Sequence, residues 1–157
     1  METLSITVAD SFSEHYAVLG KRVHALADSL SEEEVWKKPF SYGNSFGHLV
    51  LHITGNLNYY IGAQIAITGY MRDRDREFTE VNYLPKAELL RRLDEAVEMV
   101  VATINKQSLD DWPREYAAKG EEDAGNRFNI LLRCASHFYH HIGQMNYIVK
   151  EISRQKQ

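Results

Sequence analysis

Phe128–Ile152 reads FNILLRCASHFYHHIGQMNYIVKEI. Its apolar residues Phe128, Leu131, Ala135, Phe138, Ile142, Met145, Val149 and Ile152 follow one another at alternating steps of three and four. Such spacing collects them into one stripe along an α-helix, because positions three and four apart share a face. A helix with one apolar stripe must bury it against other helices.

Working outward from this segment, the same pattern recurs. Phe12, Tyr16, Leu19, Val23, Leu26 and Leu30 form the stripe of a first helix ending before SLSEEEVW, where Ser31 and Glu34 have capping-box spacing. A second helix is expected from Asn44 or Ser45 to about Gly69, with Phe46, Val50, Ile53, Leu57, Tyr60 and Ile67 as its stripe. Leu49, Leu51, Ile61, Ala63 and Ile65 make it apolar around most of its circumference, which calls for burial on more than one side by a bundle partner or a second subunit. YMRDRDREFTEVNY is charged and reads as a solvated connection. Pro85 suits the first turn of a third helix, whose stripe is Leu89, Leu93, Ala96, Val100 and Ile104. Trp112-Pro113 and the run Gly120–Gly125 mark a long connection to the fourth helix, and no strand is indicated. The expected fold is an all-α four-helix bundle, one domain spanning residues 1–157.

Composition fits that fold and narrows the function. The 157 residues suffice for one substantial core, and 44% hydrophobic with 25% charged residues is a globular balance. A net charge of −4 argues against a nucleic-acid binder, which would carry a basic face. A single cysteine, Cys134, excludes an intrachain disulfide framework. The N-terminal METLSITVADSF has no signal-peptide pattern, and no apolar run is long enough for a membrane span. These features lead to the expectation of a cytoplasmic protein without membrane or nucleic-acid partners.

The chemistry lies in the histidines. His137 and His141 are one turn apart and flank the Phe138/Ile142 stripe, so both reach into the bundle. His140 lies about 200° from Phe138 and points toward the far side. Two imidazoles one turn apart are a common way for a helix to offer two ligands to one metal ion. The second helix carries another such pair, His48 and His52, of which His52 lies nearer the core edge and His48 is turned about 40° further away. A third ligand from that helix is sterically natural in a bundle, and three imidazoles leave a coordination position open, as catalytic sites do. Other constellations are absent: there is no pair of Glu-x-x-His motifs, no zincin signature, no phosphate-binding glycine loop and no nucleophile elbow. Cys134 fits either a thiol ligand or a small apolar residue beside the core, the second better. His15 and His24 read as surface or satisfied histidines.

SFGHLVLHITGNLNYYI together with HFYHHIGQMNYI resembles the DinB/YfiT-like superfamily. The sharpest similarities are His52-Ile-Thr-Gly-Asn56 and His137-x-x-x-His141-x-Gly143-Gln144, and the resemblance extends over the whole chain in helix order. It implies a four-helix bundle with His52, His137 and His141 as ligands of one divalent ion, commonly zinc or nickel. Many relatives have an acidic residue where this chain has Phe138. The resemblance further implies a homodimer and a small-molecule substrate. The activity it suggests is transfer of a low-molecular-weight thiol, such as bacillithiol, mycothiol or glutathione, to an electrophile. A metal-dependent hydrolase and a non-catalytic, stress-responsive metal-binding bundle are the alternatives. Asn56, Tyr59 and Gln144 lie near the ligands by helical spacing and are candidates for orienting a substrate.

Overall fold

The computed structural model describes residues 2–156. Four long helices pack together: α1 (Glu2–Ala27), α2 (Phe46–Leu57), α4 (Lys86–Ile104) and α5 (Arg127–Arg154), with a one-turn α3 (Arg76–Thr79) between α2 and α4. α1 and α2 each contact both α4 and α5, so the helices form a closed four-membered ring around one core. Tyr16, Leu19, Phe46, Ile53, Leu57, Leu93, Leu131 and Phe138 fill its centre. The Tyr16 hydroxyl, buried there, donates to the Leu131 carbonyl at 2.7 Å, which satisfies the polar end of an otherwise apolar ring.

Local signals set the helix ends. Ser31 and Glu34 form the reciprocal capping box, with Glu34 N–H to Ser31 Oγ at 3.2 Å and Ser31 N–H to Glu34 Oε2 at 2.9 Å. Ser45 caps α2 by accepting the His48 N–H, and Asn126 caps α5 by accepting the Asn129 N–H. Pro85 is the residue before α4 rather than its first helical residue.

Three expectations need correction. α2 does not continue to Gly69: after Leu57 it widens into a π turn over Asn58–Ala63 and stops. A π turn holds more residues than an α turn, so the stripe loses register there. Ile67 consequently falls outside the core, 76% exposed and at φ 55°. Phe128 is also peripheral, 40% exposed, with its ring edge on Phe12. Finally, the long connection before α5 contains a short antiparallel ladder, β1 (Glu115–Tyr116) with β2 (Gly125–Asn126), its turn carrying Gly120 at φ 90°. Tyr116 Oη donates to the Tyr60 carbonyl at 2.9 Å and Tyr60 Oη donates to the Lys119 carbonyl at 3.2 Å. These two bonds pin the connection onto the π turn and build a rim beside α2.

The near-complete apolarity of α2 is accounted for within the chain. Every α2 residue except Leu51 is buried, by α4 and α5 on one side and by α3 and the Glu34–Trp36 turn on the other. Gly47 and Gly55 allow this close cover: a side chain at Gly47 would meet the Trp36 ring, and one at Gly55 would meet the Glu77 carboxylate. Among the described residues no helix is long and apolar enough to cross a membrane.

Candidate metal centre

α2 and α5 run past each other with their histidine edges facing. His137 Nε2 lies 3.1 Å from His52 Nε2 and 3.0 Å from His141 Nε2. The three rings meet edge to face, with centroids 4.4–4.9 Å apart. His52 and His141 are buried and His137 is half-buried.

The far nitrogens decide which atoms are free. His52 Nδ1 lies 2.8 Å from Glu77 Oε2, and His141 Nδ1 lies 2.7 Å from Gln144 Oε1. Both partners only accept, so Nδ1 carries the proton in each ring and Nε2 presents a lone pair. Glu77 is itself clamped: Arg72 Nε donates to Oε1 at 2.7 Å and Arg72 Nη2 to Oε2 at 2.9 Å. Phe78, next in the chain, lays its ring 4.6 Å from that of His52. Thus α3, inside the segment expected to be a solvated connection, is folded back over α2 and supplies the carboxylate that orients a histidine.

Electrostatics keep two of the imidazoles, His137 and His141, neutral. Burial, followed by the neighbouring His141, His52 and Arg72, pushes His137 down to about 3. Burial pushes His141 down to about 4 against the opposing bond to Gln144. The three imidazoles crowd their donor nitrogens together, and at neutral pH His137 and His141 are uncharged. A proton on His137 Nε2 can lie along only one of its two short contacts, which leaves the neighbouring lone pair at the other without a donor. A cation resolves the conflict. Metal–imidazole bonds of about 2.0–2.1 Å at angles between square and tetrahedral separate two nitrogens by about 2.9–3.4 Å. The two separations at His137 lie in that range, all three donor atoms lie within 4.8 Å of one another, and the outer acceptors on His52 and His141 are those that ligand histidines generally have. His52, His137 and His141 can hold a metal ion.

The match to a family model covers residues 7–157, and its description is "Protein of unknown function (DUF1572)". The chain belongs to the DUF1572 family. Comparison with curated proteins finds no match.

The other histidines of this DUF1572 chain are placed elsewhere. His48 is buried, but its Nε2 donates to the Glu80 carbonyl at 3.0 Å and its Nδ1 accepts from Ser45 Oγ at 2.6 Å, so no lone pair is left over. His140 is exposed and receives the Gln144 side-chain N–H at 3.3 Å. His15 is exposed, and His24 pairs with Asp94 at 2.7 Å. Cys134 is a core residue, and burial pushes its thiol well above the ordinary range, which removes it as a thiolate.

Of the three residues expected to orient a substrate, two share a wall with the cluster. Asn56 and Tyr59 line an open pocket of about 940 Å3 together with His52, His137, Arg72 and Lys119. Gln144 does not line it and instead bridges His141 and His140. Sequence reasoning missed Glu77 and Arg72. The only trace of them is Phe78, an isolated apolar residue in a run of charges.

Proposed function

We propose that this DUF1572 protein is a metal-dependent enzyme of the DinB-like type in which His52, His137 and His141 hold one divalent ion, zinc or nickel. We further propose that it transfers a low-molecular-weight thiol to an electrophilic small molecule. The convergence of three imidazoles, two of them (His52 and His137) on the wall of an open pocket, carries the reading, because a purely structural ion would be closed in by a fourth protein ligand. When bound, the ion supplies positive charge that turns a thiol or water into its deprotonated, nucleophilic form at neutral pH.

The chain's own contribution is placement. Glu77 and Gln144 fix the tautomers of His52 and His141 so that both Nε2 atoms face the same point. The Arg72–Glu77 pair is close to neutral as a unit, so it orients His52 without adding net charge beside the ion. Asn56, Tyr59 and Lys119 on the pocket wall offer the amide, aromatic and cationic groups with which a polar cosubstrate would be held. The same donor set would serve a hydrolase. A non-catalytic metal-binding bundle is favoured instead by one observation: Glu77, the carboxylate at the cluster, is fully engaged and is not free to act as a base. A homodimer is a separate proposal. The apolar groove between α1 and α5, lined by Val8, Phe12, Phe128, Leu132 and Tyr139, is the surface on which a second copy would seat.

The test starts with elemental analysis of protein prepared without a histidine tag, beside a His137→Ala/His141→Ala double variant. One ion per chain in the parent and none in the folded variant is the expected result. Loaded protein is then offered thiols with a chromogenic electrophile. Absence of any ion after incubation with zinc or nickel would end the metalloenzyme reading. Stoichiometric ion without turnover would favour the non-catalytic bundle.

A further inference from the structure

Of the three imidazoles in the cluster, only His137 lacks a partner for its outer nitrogen. His137 Nδ1 is buried and unpaired, whereas the corresponding atoms of His52 and His141 are bonded to Glu77 and Gln144. A buried N–H without an acceptor is costly, and a ligand histidine without one is free to turn. Among the described residues only two other buried side-chain polar atoms lack a partner, Thr54 Oγ1 and Asn56 Oδ1.

Helical phase and topology choose between them. Thr54 is two residues from His52, about 200° around α2, and it lines a different pocket on the far side of Glu77. Asn56 is four residues from His52, on the same face, and lines the same pocket as His137. α2 and α5 run antiparallel here. His52 meets His137 and His141, while Tyr60, in the π turn that continues α2, bonds Lys119 in the loop whose Glu121 pairs with Arg133. Arg133 is one turn before His137 on α5, so Asn56, midway between His52 and Tyr60, lies level with the stretch from Arg133 to His137. Two buried polar atoms without a partner, Asn56 Oδ1 from α2 and His137 Nδ1 from α5, thus belong to residues of one pocket wall at nearly the same level of the α2–α5 seam.

We propose that Asn56 is the positioning residue for His137, its Oδ1 accepting the Nδ1–H through a small rotation of the carboxamide or the ring. This rests on the metal-centre reading for its purpose. The three ligand histidines would then be oriented by three different acceptors: a carboxylate from α3, a carboxamide from α5 and a carboxamide from α2. With its Nδ1 proton engaged, His137 must present the Nε2 lone pair to the shared point, as His52 and His141 already do.

The test compares the parent with Asn56→Ala and Asn56→Asp in the full chain. Zinc affinity is read by competition with a chromophoric chelator. Imidazole 15N NMR on metal-free protein reports which His137 nitrogen carries the proton. The expected result is a loss of zinc affinity of about 10–100-fold in Asn56→Ala, the usual effect of removing an outer partner. Asn56→Asp, which retains an acceptor, should recover most of it. In the parent, His137 should be protonated at Nδ1, with that signal lost or exchange-broadened in Asn56→Ala. A folded Asn56→Ala with unaltered zinc affinity, or a parent in which His137 is protonated at Nε2, would overturn the proposal. Should the parent bind no zinc, the metal-centre reading fails on its own, and the NMR comparison still decides whether Asn56 holds His137.

Discussion

Glu77→Ala should be among the most damaging single substitutions in the chain. The Arg72 and Glu77 side chains are only 8% and 6% exposed, so the guanidinium is held inside the protein by this one carboxylate. Removing it deletes both bonds from Arg72 and the bond from His52 Nδ1, and leaves a buried cation without a counter-charge. Stranding one member of a buried pair costs about 3–5 kcal/mol, a large part of the roughly 5–15 kcal/mol that holds a domain folded. For a chain of this size that corresponds to a fall in Tm of about 6–20 °C. Urea unfolding of the metal-free protein, followed by circular dichroism, measures the loss. Replacing both partners with apolar residues, Arg72→Met with Glu77→Leu, should restore much of the stability because no charge is left unpaired. It should not restore zinc affinity, since His52 still lacks its acceptor. A loss below about 1 kcal/mol in Glu77→Ala is what a solvent-exposed pair would give, and would refute the placement of α3 over α2.

Gly55→Ala should disturb the same contact from the other side. The added Cβ would meet Glu77 Oε1 and lie 2.8 Å from Glu77 Cδ, and Arg72 and His52 leave the carboxylate no room to yield, so zinc affinity and Tm should fall together. Acid should destabilise the metal-free protein through the cluster. His137 and His141 are pushed down to about 3 and about 4 from 6.5, so below pH 6.5 the unfolded chain binds protons that the folded chain refuses. Stability from these two groups is therefore complete above about pH 6.5 and declines as pH falls toward 4 and then 3; unfolding free energies at about pH 7 and about pH 5 should differ less in a His137→Gln variant than in the parent. Leu132→Glu, in the exposed groove between α1 and α5, should convert a homodimer to monomer in light scattering without lowering Tm. A monomeric parent, or an unaffected dimer, would remove that groove as the interface.

Most of the frame was legible because it rests on period alone. The stripes of α4 and α5 account for core positions such as Leu89, Leu93, Val100, Leu131, Phe138 and Met145, all buried as expected. The same arithmetic separated His52, His137 and His141 from His48 and His140, since a ligand edge is a matter of angle around a helix. What stayed illegible depends on contacts between elements. The π turn at Asn58–Ala63 is a local change of pitch without a composition signal, and it moved Ile67 from core to surface. Glu77 stands in a run of like-looking charged residues, 25 positions from the histidine it serves. Nothing in its spacing distinguishes it from Asp73 or Asp75, which remain exposed.

Illegibility of that kind bears on how the centre is assembled. His137 and His141 share one helix, so their relative placement comes with the folding of α5. His52 joins them only through packing of α2, and its tautomer is set by Glu77 from the segment folded over α2. His48 ties the end of that segment to the first turn of α2 through the Glu80 carbonyl, and Trp36 Nε1 ties its continuation through the Leu84 carbonyl at 3.1 Å. The segment between α2 and α4 is thus fastened just beyond Glu77, at Glu80 and again at Leu84, by contacts that do not involve the donor nitrogens. Orientation of His52 follows from the fold of that segment rather than from capture of an ion. The site accordingly has two of its three imidazoles set in place before any cation arrives, and the remaining freedom is concentrated in the His137 ring.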